Sequence, residues 1–154
     1  MKKYELTTEF KEIGNIKLFR VKALTSFGNV KAGELGGYIE KEDNLSQSGD
    51  ACVKGNAEVS GNARVSSNAE VDGNARVRGN EDYTIIKGFG RECRSTTFFR
   101  QKDGSIGVVC GCFYGTLDEF RKKVRETHGE SKYAKEYLMI ADLMEIHFDR
   151  SEGE

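Results

Sequence analysis

The sequence predicts an α+β protein that is mainly β: a short three-sided parallel β-helix of about two coils, an N-terminal β cap, and a C-terminal β-hairpin followed by two helices. Three observations carry this expectation. Six-residue units run from Gly49 to Thr84, an Asp-Gly turn sits between two apolar runs at 102–105, and Thr116-Leu-Asp-Glu119 precedes apolar residues at helical spacing. The implied division is a capping segment at 1–42, the repeat at 43–84 and a ββαα module at 85–154.

With 154 residues, 37% hydrophobic and 32% charged, the chain has the composition of a soluble globular protein able to bury a core. No apolar run follows Lys2 and Lys3, and none elsewhere reaches membrane-spanning length, so a cytoplasmic protein without a membrane partner is expected. In that setting Cys52, Cys93, Cys110 and Cys112 read as free thiols.

The first forty residues read as strands, YELTTEF and IKLFRVKAL, followed by the Gly-rich AGELGGYIE. Leu35, Tyr38, Ile39 and Leu45 are suited to cover the apolar end of the first coil, where backbone would otherwise be unpaired. Gly36-Gly37 is not followed by the Lys-Ser/Thr of a phosphate-binding loop.

The repeat reads GDACVK, GNAEVS, GNARVS, SNAEVD, GNARVR and the degraded GNEDYT. In each unit Gly-Asn supplies a turn, and Ala and Val point inward on either side of one outward residue. That outward residue alternates: Glu58, Arg64, Glu70, Arg76. Two units per coil would stack like charges, whereas three place partners eighteen residues apart and give Glu58 with Arg76, Arg64 with Asp82 and Lys54 with Asp72. The charges therefore predict three units per coil, with Val53 on Val71, Val59 on Val77 and Val65 on Tyr83.

An aliphatic residue with a small residue two positions before it, every six residues over 49–84, resembles the left-handed β-helix of hexapeptide-repeat proteins. Many of these are acyltransferases, so the resemblance implies that activity as an alternative. Such enzymes use a histidine at the coil surface, and here His128 and His147 both lie outside the repeat.

Past the repeat, RSTTFFRQ and IGVVCGCFY flank KDGS, a hairpin signal. Centring the turn on Asp103-Gly104 pairs Thr97 with Cys110, Ser95 with Cys112 and Cys93 with Tyr114. All three thiols then share a face, where Cys93, Cys110 and Cys112 with His128 form a weak candidate Zn²⁺ set; buried apolar thiols are the simpler reading. No histidine stands in a sequence relation to Cys110 or Cys112 that marks a catalytic base. The first helix carries Leu117, Phe120 and Val124 on one face and stops at Gly129. The second, from about Ser131 to Phe148, turns Ala134, Tyr137, Leu138, Ala141 and Met144 inward.

Residues 87–135 hold eleven Lys/Arg against six Asp/Glu, and 136–154 one against six. Arg121, Lys122, Lys123 and Arg125, with Arg100 and the aromatics of the hairpin, form a candidate binding patch for a partner protein, nucleic acid or nucleotide. The alternative is that the aromatics pack under the helices while the basic residues face solvent.

The segments KKYELT, LFRVKAL, VKAGELGGYIEKEDNLSQSG, the Gly-Asn-Ala-x-Val hexads, TTFFRQKDG and CGCFYGTLDEFRKKVRETHG together resemble a family of small proteins encoded by bacteriophages and prophages. The resemblance implies a phage setting and a β-helix, and no catalytic residues or cofactor. It leads to the expectation of a non-enzymatic interaction protein that binds and inhibits a host component, such as a CRISPR nuclease or a nucleotide-signalling defence system. A self-assembling structural protein or homodimer is the second expectation.

Overall fold

The computed structural model describes residues 2–149. Its architecture is mainly β: a mixed five-stranded sheet, a two-stranded parallel pair, a four-stranded antiparallel sheet, and two helices. The N-terminal hairpin consists of β1 (Tyr4–Ile13) and β2 (Ile16–Ala23), and β2 continues antiparallel to β3 (Leu35–Ile39). The hexads supply only two-residue strands: β4 (Cys52–Val53), β5 (Glu58–Val59), β6 (Glu70–Val71) and β7 (Arg76–Val77).

The eighteen-residue register forms between these pieces. Val53 lies opposite Val71 in the β4–β6 pair, and Glu58–Val59 opposite Arg76–Val77 in β5–β7. The expected β-helix is nevertheless not what the chain builds. β5 and β7 are the far strands of the sheet ordered β1-β2-β3-β5-β7, and β4 pairs with β6 separately, so the parallel pieces are divided between two sheets and no solenoid results. Two-residue strands offer few ladder hydrogen bonds, and the open edge of β5 is satisfied by β3. Val65 bridges Leu45, and Tyr83 pairs with Phe99. Lys54 reaches Glu70 at 3.9 Å, and Asp82 accepts from Arg100 at 3.0 Å.

Within the hexad body the inward Ala and Val residues from Ala51 to Val77 are buried in one cluster with Tyr4, Val21, Ile39 and Leu45. Gly37 explains the glycine pair ahead of the repeat: a Cβ there would lie 2.7 Å from the Ala57 carbonyl oxygen and 2.8 Å from Val53 Cγ1. The pair allows close approach of β3 to the hexads. Cys52 is buried in this body, which pushes its thiol up to about 12 and leaves it a small apolar side chain.

Glu58 ties the body together. Its buried carboxylate takes Lys11 of β1 at 2.7 Å, Lys102 at 3.0 Å and Arg76 of β7 at 3.1 Å. Burial works against its charge, but hydrogen bonds from the three cations outweigh that and hold the carboxyl below its usual range.

The second sheet is ordered β11-β10-β9-β8, from β8 (Tyr83–Phe89), β9 (Arg94–Arg100), β10 (Ile106–Cys110) and β11 (Phe113–Thr116). The expected ββ unit is therefore four strands, because the Gly111-Cys112 turn divides IGVVCGCFY into β10 and β11, and β8 pairs along the other edge of β9. The β9–β10 register also differs from expectation by one residue: Thr97 lies opposite Val109, and Cys110 opposite Thr96. Asp103 Oδ1 accepts from Ser105 N at 2.9 Å and Gly104 adopts φ +88°, which makes a three-residue loop instead of a two-residue one. A one-residue slip exchanges the faces of every side chain beyond it.

The sheet is a middle layer. Phe99 and Val109 face the hexad core, while Phe98 and Val108 face α1 (Leu117–His128) and α2 (Lys132–His147). The capping box forms as read: Thr116 Oγ1 accepts from Glu119 N at 3.2 Å, Glu119 Oε1 accepts from Thr116 N at 2.8 Å, and Gly129 ends the helix.

Candidate functional site

Where the loop after β8, the β10–β11 turn and the two helices meet, a cleft of about 420 Å³ opens. Its floor is apolar and largely aromatic, from Phe89, Phe113, Phe120, Val124 and Tyr137. Phe120 stands edge-on to Tyr137, centroids 5.7 Å apart at 86°, which fixes the floor as a rigid surface. Tyr137 Oη donates to the Phe89 carbonyl at 2.9 Å. Burial pushes this phenol up to about 12, so it stays a protonated donor at neutral pH.

The rim is cationic. Arg91, Arg94 and Lys123 line it with a single acid, Glu92. Arg94 Nε donates to Glu92 at 2.9 Å, which commits that acid. The Arg91 guanidinium lies 5.6 Å from the centre of the Tyr133 ring, and His128 stacks on Tyr137 at 5.9 Å. Lys123 forms no ion pair with any described residue.

The basic patch expected from sequence is dispersed. Arg121 bridges the helices, reaching Asp118 at 3.2 Å, Glu145 at 3.1 Å and Asp142 at 2.9 Å, so its charge is used inside the fold. Arg100 holds the end of α2 to the sheet, donating to Asp82 at 3.0 Å and to the Phe148 carbonyl at 2.9 Å. Lys122 and Arg125 are exposed on α1, and of the five only Lys123 reaches the cleft. Arg91 and Arg94 were missed. Their signal is the segment GRECR, in which Arg91 and Glu92 sit in the strand-to-strand connection and Arg94 opens β9.

The thiols do not share a strand face. Cys93 is an exposed turn residue at φ +53°, and Cys112 is exposed in the β10–β11 turn. Cys110 Sγ accepts from Thr96 Oγ1 at 3.2 Å. Cys110, Cys112 and His128 all line the cleft, but among the described residues no group of three or more His, Cys, Asp or Glu is arranged to hold a metal ion.

A second feature lies on the outer face of α2. Beyond the buried stripe of Ala134, Tyr137, Ala141 and Met144, the helix exposes Met139 (72%), Leu143 (56%) and Ile146 (73%) at helical spacing i, i+4, i+7. The helix therefore carries apolar side chains on both faces. Among the described residues no helix is long and apolar enough to cross a membrane. No family model matches the chain, and the comparison with curated proteins gives no match.

Proposed function

We propose that this chain is a non-enzymatic interaction protein: the hexad body and N-terminal hairpin form a rigid support, and the helical layer presents the binding surface. The observation that carries this is the Met139, Leu143, Ile146 stripe. The stripe runs through the acidic part of the chain, with Glu136, Asp142, Glu145 and Asp149 on the same helix or directly after it. Asp142 and Glu145 are already paired with Arg121, so the apolar stripe sets the choice, and we take its occupant to be a different protein offering an apolar groove. An anti-defence role against a bacterial host component is the concrete form of this reading, and its phage setting rests on the sequence resemblance.

The test is a pull-down from bacterial lysate with the tagged wild-type chain and with the double variant Leu143→Glu, Ile146→Glu, followed by mass spectrometry. A stoichiometric host protein held by wild type and lost from the variant supports the proposal. Capture that the variant leaves unchanged moves the surface off α2. Recovery of the chain alone, with light scattering giving an oligomeric mass that the variant abolishes, replaces the proposal with self-assembly through the same stripe.

A further inference from the structure

The cleft combines a volume suited to a small molecule with two kinds of lining that call for two different ends on its ligand. At about 420 Å³ it falls within the range of small-molecule sites, roughly 300–1,000 Å³. Rigid rings on the floor favour a flat apolar body, since ring faces gain from stacking and leave no hydrogen-bonding group to satisfy. At the rim three cations stand against one acid, and Arg94 already occupies that acid. Arg91 and Lys123 therefore remain to meet a negative group, and they reach the cleft from different elements, the β8–β9 loop and α1.

We infer that this cleft binds a planar aromatic anion, with a nucleoside monophosphate as the biological form that best matches a flat body joined to a compact negative group. The ring system would lie against Phe89 and Phe113, the partly exposed rings of the lining, and its phosphate would be met by Arg91 and Lys123. Arg94 is held in place by Glu92 and bounds the site on the β9 side. This site is separate from the outer face of α2, and the two readings stand or fall independently.

Ligand-observed NMR and calorimetry of the full chain with adenosine, guanosine and uridine monophosphates test the inference, alongside adenosine, inorganic phosphate and a naphthalene carboxylate. At least one monophosphate is expected to bind with Kd below about 1 mM, at least tenfold tighter than adenosine or phosphate alone, a gap of about 1.4 kcal/mol. Arg91→Glu and Lys123→Glu, both at exposed positions, are each expected to weaken it by about tenfold or more. Circular dichroism checks that the variants keep their fold. Binding of the naphthalene carboxylate but of no nucleotide would keep the planar-anion chemistry and reassign its source. Failure of every aromatic anion at about 5 mM, or binding untouched by both charge reversals, would overturn the inference.

Discussion

In the hexad body the inward positions are alanines and valines, from Ala51 to Val77, with Val53 opposite Val71 and Val59 opposite Val77, and they are buried almost completely. In the helical layer the same task falls to rings: Phe98 meets Phe120 edge-on at 5.8 Å, and Phe113 lies 6.0 Å from Phe120. Small side chains close this part of the fold down to a pocket of about 20 Å³ beside Cys52 and Val53. Large rings converging from a sheet, a turn and two helices tile a junction less completely. The cleft opens there, between elements that meet at their ends, and the exposed apolar stripe lies on the same layer. The contrast separates a nearly closed part of the fold from one that carries an open cleft and exposed apolar side chains.

That contrast is testable through the cost of truncating each core. Phe98→Ala removes a fully buried ring from the helical layer and should cost about 3–5 kcal/mol, whereas Val59→Ala in the hexad body should cost only about 2. Urea unfolding measures both. A larger loss at Val59 would show that the small-residue stack is the more demanding core and would break the comparison.

Glu58→Gln probes the charge that joins the body to the rest of the chain. The variant keeps the shape but leaves Lys11, Lys102 and Arg76 without their anion, and about 2 kcal/mol should be lost, less than for a wholly dry ion pair because the cations are about one-third exposed. The acid limb gives a second reading. Because the folded carboxyl titrates below its unfolded value, the unfolded chain binds more protons over that interval and stability rises with pH. The contribution is complete above the ordinary carboxylate range, near pH 5, and disappears as pH falls through the lower folded value. Melting curves from pH 7 to 3 should fall more steeply for wild type than for the variant. Parallel curves would show that Glu58 is not the group responsible.

The smallest expected effect is at the helix start. Thr116→Ala removes one cap hydrogen bond and should cost about 1 kcal/mol without changing either binding reading. A loss as large as that from Phe98→Ala would mean that the two helices dock as a unit dependent on this cap.

Much of this was legible in the chain because it depends on near neighbours. The capping box at Thr116, the stop at Gly129, the inner stripe of α2 and the pairing of Glu58 with Arg76 each follow from spacing alone. The candidate site was less legible. Charge clustering pointed to Arg121 and Arg100, yet both are consumed by partners far along the sequence, and a run of like charges carries no record of who will answer it. The thiol face failed for local reasons: Cys93 and Cys112 fall in turns outside the strands, and the three-residue loop at Asp103-Gly104 shifted the β9–β10 register by one.

What the sequence by itself determined is therefore the periodic and the local: six-residue units with inward Ala and Val, the eighteen-residue pairing of Val53 with Val71 and of Glu58 with Arg76, the helices and their ends. Such features follow from dihedral preferences and from residues that recur at a fixed interval. The tertiary structure alone decided that the hexads would complete a mixed sheet with the N-terminal hairpin instead of forming a solenoid. It also brought Arg91, Lys123 and Tyr137 to one cleft and left one face of α2 bare. Those outcomes depend on which open edges and apolar faces find one another when distant segments compete for burial, and no local pattern encodes that competition.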